Sequence, residues 1–289
     1  MDGVTDLGDE VFEIDTLMGG HAGITAGYLI RSDRPCLVET GTALSAPTVV
    51  RALAALGIGP EDLATVVVTH IHLDHAGGVG DIAEAFPRAQ VVVHERGARH
   101  LVDPTKLVAS AHRVFGPVMG ELFGDLRPTA AERVVALGDV GTIDLGGGRR
   151  LDAFHAPGHA SHHVGLLDPS TGDLYTGDAA GVYVPEADEL RPATPPPDFD
   201  LDLALASMAR MRQITPSRLL FARFSSSTSR CMSRSCARAS PPSSALPRKT
   251  LWPLTSSSSS GPGCRSPSFW VIVDLPGAAL VPGRRAPDA

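Results

Sequence analysis

A chain of 289 residues is long enough for one large domain with a substantial core. Its net charge of -7 is unevenly spread: from Ala222 onward there are nine basic and two acidic residues, leaving 16 basic and 30 acidic in the body before it. Such an acidic body argues against nucleic acid or anionic membranes as partners, and no apolar run approaches the roughly 18 residues that span a bilayer.

The opening M-D-G-V-T-D-L-G-D-E is acidic and lacks the apolar core of a signal peptide. Cys36 is the only cysteine of the body, Cys231, Cys236 and Cys264 lie in the last quarter, and no C-x-x-C pair occurs, so a cytoplasmic location is expected. Val11 to Asp15, Thr25 to Ile30 and Pro35 to Glu39 read as short strands separated by turn residues. Met18-Gly-Gly-His-Ala-Gly is a turn, in which His21 is expected to face solvent. Leu37-Val-Glu-Thr-Gly ends a strand; Glu39 is either an ordinary strand-end carboxylate or a support for a nearby metal site. Ser45 to Leu56 has helical spacing with Ser45 as its cap.

Asp62 to Thr69 leads into V-V-V-T-H-I-H-L-D-H-A-G-G, which packs three histidines and one aspartate into six residues: His70, His72, Asp74 and His75. The β-branched run before the cluster is that of a buried strand, and Gly77-Gly78 releases the chain into a turn. On extended backbone His70 and His72 point the same way, Asp74 keeps that parity and His75 breaks it. A turn after His72 then lets two ligand pairs face two neighbouring ions. Imidazole with carboxylate suits zinc, iron or manganese, and the absence of thiolates argues against a structural zinc knot. Four ionisable groups at a buried strand end cost several kcal/mol, about 5, without a metal.

Beyond the cluster, Gly80 to Phe86 reads as a helix, Gln90 to His94 as a strand, and Arg96 to Phe123 as helix broken near Asp103-Pro104. His100 and His112 there are expected on the surface or satisfied in the core. Glu132 to Leu137, Gly141 to Leu145 and Arg149 to Phe154 read as strands, the last two joined by Gly146-Gly-Gly148. Pro157-Gly158 then forces a turn that fixes His159, and strands resume at His163 and at Leu174, the latter ending on Gly177-Asp178. His162 and His163 either support the metal ligands from behind or, as is the better expectation, face the surface. Val182 to Pro197 reads as a proline-rich loop, Asp200 to Gln213 as an amphipathic helix with Asp198 or Asp200 at its cap, and Ser217 to Ala222 as a final buried strand. Strand and helix alternating at this pace give an α/β layered domain.

His70-x-His72-x-Asp74-His75, then Pro157-Gly158-His159, then Gly177-Asp178 resembles the metallo-β-lactamase-fold hydrolase superfamily, and by flavour its glyoxalase-II-like zinc hydrolases. The likeness covers about residues 10 to 222. It implies an αββα sandwich with metals in a cleft at one sheet edge. It places a first metal on His70, His72 and His159 and a second on Asp74 and His75, with Asp178 bridging. Zinc is the implied cofactor, two ions per chain in an intact relative, with one conceivable here. The implied chemistry is attack of a metal-bound hydroxide on an ester, thioester or lactone carbonyl of a small molecule, with Asp74 orienting the hydroxide and taking its proton.

One family ligand is missing. A histidine is expected after the final strand, where this chain reads Leu219-Leu-Phe-Ala-Arg223-Phe-Ser, and a guanidinium has no lone pair to donate. From Arg223 the composition turns to Ser, Arg, Pro and Cys, with Ser256 to Ser260 a single-residue run. The domain is therefore expected to end at 222, and residues 223–289 to be a disordered extension or, as the break at the ligand position favours, the product of a shifted reading frame. Three functions follow: a binuclear zinc hydrolase, a mononuclear zinc or iron member similar to persulfide dioxygenases, or an inactive relative that keeps the fold. Arg223→His is expected to raise the metal content of the loaded protein toward two ions per chain by elemental analysis; unchanged content would count against the ligand assignment at that position.

Overall fold

The apolar runs of the body become the strands of two sheets, in a computed structural model that describes residues 3–184 and 189–222. The tail expected from Arg223 onward lies outside the described residues. The first sheet has seven strands in sequence order: β1 (Val4–Asp6), β2 (Val11–Asp15), β3 (Ala26–Ile30), β4 (Cys36–Val38), β5 (Thr65–Val67), β6 (Gln90–His94) and β7 (Val134–Leu137). β1 to β4 pair antiparallel through short turns, whereas β4 to β7 are parallel. Parallel neighbours need long crossovers, and helices supply them. α1 (Ala46–Ala55) joins β4 to β5. α2 (Leu73–Ala76) and α3 (Val79–Ala85) join β5 to β6. α4 (Glu95–Val102), α5 (Thr105–Phe115) and α6 (Val118–Leu122) join β6 to β7.

The second sheet holds β8 (Val140–Asp144), β9 (Arg150–His155), β10 (Val164–Asp168) and β11 (Asp173–Gly177) as an antiparallel meander. A short hairpin of β12 (Val182–Val184) and β13 (Glu189–Arg191) follows, then α7 (Leu201–Ile214). The final strand β14 (Arg218–Phe221) pairs parallel with β11. The proline-rich loop expected from Val182 to Pro197 is thus partly a hairpin; Val182-Tyr-Val184 is β-branched and aromatic enough to pair despite the prolines that follow.

Strand parity builds the layers. Leu37, Val66, Val68, Val91 and Val93 pack with Val49 and Leu53 of α1 and Ile82 of α3. Their alternates Cys36, Val38, Val67 and Val92 pack with Leu151, Ala153, Val164, Leu166 and Tyr175 of the second sheet. Phe154 and Leu174 turn outward to Met211 of α7. Both faces of the central strands are therefore buried, giving the αββα sandwich, and each wholly buried Leu, Val or Ile contributes about 1.5–3 kcal/mol.

One local expectation needs correction. Ser45 does not cap α1 through its side chain. The chain enters that helix through a 3-10 turn, Ala43–Ser45, whose cap is Thr42, the side chain accepting from Ser45 N. Asp200, by contrast, does cap α7, accepting from Leu203 N at 3.0 Å. No helix among the described residues is long and apolar enough to cross a membrane.

The last strand is tied in by charge. Arg218 of β14 donates from Nε and Nη2 to the two oxygens of the wholly buried Asp173 at 2.6 and 2.5 Å, and from Nη1 to the carbonyl of Leu7. Removing one partner of such a pair strands a buried charge. Arg218→Ala is expected to destabilise the fold by about 3–5 kcal/mol; urea unfolding that shows less than about 1 kcal/mol would mean that Asp173 is relieved in another way.

Candidate metal centre

The site forms where the ends of both sheets meet. β5 stops at Val67, so His70 and His72 stand on the loop beyond it, at the carboxyl end of a parallel strand. The turn expected after His72 is the one-turn helix α2, which carries Asp74 and His75. His159 lies in the turn after β9 and Asp178 directly after β11. That first turn is clamped by α7: Asp200 N donates to Gly158 O at 2.8 Å and Ser207 Oγ to Pro157 O at 2.6 Å. Gly158 has φ 127°, and an added Cβ would stand 2.2 Å from Ala204 N, so only glycine lets the turn approach the helix.

His70, His72 and His159 converge. His159 Nε2 is 3.2 Å from His70 Nε2 and 2.9 Å from His72 Nδ1. The outer edges of two of these rings are already committed. The hydroxyl of Thr69 gives its one proton to Glu39 Oε1 at 2.5 Å, so toward His70 Nδ1, 3.0 Å away, it can only accept. His159 Nδ1 donates to the carbonyl of Ala193 at 3.1 Å. In the neutral rings the protons are thus on Nδ1, and both Nε2 lone pairs face inward. Burial pushes His70, His72 and His159 below the usual histidine range, with neighbouring imidazoles adding to the effect at His70 and His72, so protonation does not relieve the contact. Inward lone pairs at this spacing suit a cation such as zinc.

A second group adjoins them. His75 Nε2 is 3.5 Å from both Asp74 Oδ2 and Asp178 Oδ1, and Asp178 Oδ2 is 3.7 Å from His159 Nε2. Neither ring nitrogen of His75 makes a hydrogen bond, although the residue is only 1% exposed. Burial opposes its charged form, but the Asp74 and Asp178 carboxylates outweigh that and hold its pKa well above the usual value. Orphaned imidazole nitrogens spaced about one ligand-to-ligand distance from carboxylates fit a second ion. Glu39 completes this side. It is buried, in the left-handed region at φ 64°, and its Oε1 also accepts from Thr69 N at 3.1 Å while Oε2 lies 3.7 Å from His75 Nδ1. A non-glycine residue there costs about 1–2 kcal/mol, which the aim of its carboxylate under both His70 and His75 explains.

All six residues expected as metal ligands are therefore brought together. Beside them the preferred expectation for His162 and His163 fails: both are buried, not surface-facing, which leaves the alternative of support from behind the ligands. His162 Nδ1 accepts from Ile71 N at 3.4 Å, and burial, with His159 nearby, pushes it down to about 4. His163 precedes β10, whose start at Val164 is wholly buried; that apolar run was the signal for its burial. Thr69 gives no signal in the sequence, since a threonine at a strand end is ordinary until the carboxylate behind it is located. His21 is exposed, as expected.

A separate cluster of His94, Asp139 and His155 has three donor atoms close together, but it is not built for an ion. His94 Nδ1 accepts from Arg96 N at 3.3 Å, which leaves the proton on the Nε2 that faces Asp139. The two rings also stack within 13° of parallel, so their in-plane lone pairs do not meet at one point.

Comparisons with known proteins bear on the family and the fold. Residues 21–223 match the family described as the metallo-β-lactamase superfamily. A metallo-β-lactamase fold-containing protein of Sulfurisphaera tokodaii is 29% identical over 160 residues, 54% of this chain and 59% of that one. An acyl-coenzyme A thioesterase of Homo sapiens is 29% identical over 188 residues, 60% and 64% of the two chains. This chain thus spans less than two thirds of the length of these relatives. Among solved structures, an archaeal metallo-β-lactamase superfamily protein from Sulfolobus tokodaii aligns with a TM-score of 0.62 at 25% identity, covering 74% of this chain and 79% of that one. A subclass B3 metallo-β-lactamase from a soil metagenome, at 21% identity and TM-score 0.55 over 76% and 79% of the chains, shares the fold.

Gly177 tests the packing behind the centre. At φ 49° it leaves room for no side chain: an added Cβ would lie 2.3 Å from Thr69 Oγ1 and 2.6 Å from His163 Nε2. Gly177→Ala is expected to weaken zinc binding by about 10–100-fold, the usual effect of disturbing groups behind metal ligands. Competition titration against a chromophoric chelator reads this, and wild-type affinity would show that the contact yields without moving the site.

Proposed function

The chain belongs to the metallo-β-lactamase superfamily, and from that premise we propose that it is a metal-dependent hydrolase of small esters, thioesters or lactones. The observation that carries the reading is the convergence of one ring nitrogen each from His70, His72 and His159, two of them with inward lone pairs, beside Asp74, His75 and Asp178. His70, His72 and His159 would hold one ion; Asp74 and His75 a second, with Asp178 shared. A bound zinc or similar ion supplies Lewis acidity toward a carbonyl oxygen and acidifies water in its shell.

The chain's own residues do the rest. Asp74 is the most exposed carboxylate of the group, at 9% against 4% for Asp178, so its Oδ2 is placed to take the proton of an attacking water. The Asp178 carboxylate faces both histidine groups and keeps them in register. Glu39 and Thr69 hold His70 and His75 from behind, which fixes ring orientation before substrate arrives. The substrate enters over His72, the least buried of the ring donors. The human relative named an acyl-coenzyme A thioesterase supports a thioester among the substrates, and the motif flavour favours the glyoxalase-II-like branch.

A single-ion form is the second reading. Among the described residues the second group has three donors, Asp74, His75 and Asp178, and the sequence places Arg223 where a further histidine is expected. Elemental analysis separates the two: about two zinc ions per chain support the binuclear form, and one iron with sulfur-dependent oxygen uptake the mononuclear oxygenase-like form.

Activity should be sought over p-nitrophenyl esters, acyl-homoserine lactones, S-lactoylglutathione and acyl-coenzyme A thioesters. Turnover is expected to vanish on chelation and return with zinc. His72→Ala is expected to lower kcat/KM by at least about a hundredfold. Full activity in that variant would remove the site assignment, and metal binding without turnover on any of the panel would point to an inactive relative.

A further inference from the structure

We propose that His163 is the positioning residue for Asp178, acting through its ring nitrogen Nε2; the inference rests on the metal-centre reading above. His163 is wholly buried, and its Nε2 accepts the backbone N–H of Asp178 at 3.1 Å. That bond fixes the direction in which residue 178 leaves β11, and with it the carboxylate that sits 3.5 Å from His75 Nε2 and 3.7 Å from His159 Nε2.

Three further observations single out this ring. Because Nε2 accepts, the proton of the neutral ring is on Nδ1, and Nδ1 is buried with no hydrogen-bond partner. A phenyl ring would fill the same space without stranding a donor, so what the imidazole adds is the Nε2 acceptor. The approach also depends on Gly177, whose missing Cβ would lie 2.6 Å from that nitrogen. Finally, His163 belongs to the turn that carries His159. Its N–H donates to Ala160 O at 3.2 Å, its carbonyl accepts from Ala156 N at 2.8 Å, and its ring stacks on His70 at 4.7 Å and 24°. One side chain thereby references the carboxylate from β11 to the histidine turn after β9 and to the ring after β5.

The test is a double-mutant cycle on the full chain, read as the weakest zinc-binding step in competition titration with a chromophoric chelator. His163→Phe keeps the ring and removes the acceptor; it is expected to weaken zinc about 10–100-fold, as loss of a group behind a ligand does. His163→Gln, whose Oε1 overlays Nε2, is expected to stay within about threefold of wild type. In an Asp178→Ala background, His163→Phe is expected to cost less than about twofold more, since its action runs through Asp178. Wild-type affinity in His163→Phe, or an equal loss with and without Asp178, overturns the inference while leaving the metal centre standing. Wild-type zinc affinity in Asp178→Ala overturns the assignment of Asp178 as a ligand and this inference with it, and leaves the three-histidine site standing. Should His163→Phe lack the wild-type far-UV circular dichroism, His163→Gln decides: retention of zinc supports the inference, and a loss above about tenfold in a folded protein overturns it.

Discussion

Two imidazole lone pairs face each other across 3.2 Å, and a third ring nitrogen stands 2.9 Å away. Two of the three rings, His70 and His159, are held in place. Thr69 and the Ala193 carbonyl hold the outer nitrogens of His70 and His159, and rotating either ring would break a buried hydrogen bond at about 1–3 kcal/mol. Protonating one ring would turn the repulsion into a bond, yet burial and like neighbours push these rings away from the charged form. A neutral His72 with its proton on Nδ1 satisfies His159 Nε2 but leaves His70 Nε2 facing it; a cation satisfies all three nitrogens at once, and the surrounding elements converge on that point. β5, β9 and β11 each end at the same edge, and each delivers a donor there.

The scaffold behind this edge is ordinary α/β physics. Central strands with β-branched residues on both faces require a layer on each side, and Val66, Val67 and Val68 supply alternate faces to the helices and to the second sheet. The meander of β8 to β11 closes against that inner face, with α7 outside it. The same helix clamps the Pro157-Gly158 turn through Asp200 and Ser207, so packing on the outer layer also sets the angle of His159. Stability and site geometry thus share residues, and the turn cannot relax without disturbing α7.

Much of this was legible in the sequence because it rests on local period and dense motif. The runs before His70, at Gln90 to His94 and at Arg149 to Phe154 announce their strands, and six ionisable residues in three short motifs announce the centre. What escaped reading depends on contacts distant in sequence. Glu39 reads equally as a strand-end carboxylate or as a support for the metal site until its left-handed backbone turns it beneath Thr69, a partner 30 residues away. His162 and His163 look like surface residues because adjacent polar residues usually are; only the closing of β10 against β9 and β11 encloses them. Thr42 displaced Ser45 as a cap because a 3-10 turn precedes α1, and a one-turn shift of this kind leaves no mark on hydrophobic spacing.

The two halves of the centre differ in charge, and that difference bears on how many ions it takes. The His70, His72 and His159 group is made of neutral donors, so a divalent ion there keeps most of its charge and the Lewis acidity that goes with it. The His75 group has Asp74 and Asp178 at 3.5 Å and Glu39 behind it at 3.7 Å, a set of buried carboxylates that favours positive charge at His75 itself. Buried carboxylates need a cation or a proton near them. With one ion in the histidine group, Asp178 meets part of that need from the shared side and a protonated His75 meets the rest. A second ion would require His75 to give up its proton and act as a donor. Occupancy of the second position therefore turns on whether an ion competes with a proton for His75, and the carboxylates that strengthen the ion's hold strengthen the proton's as well.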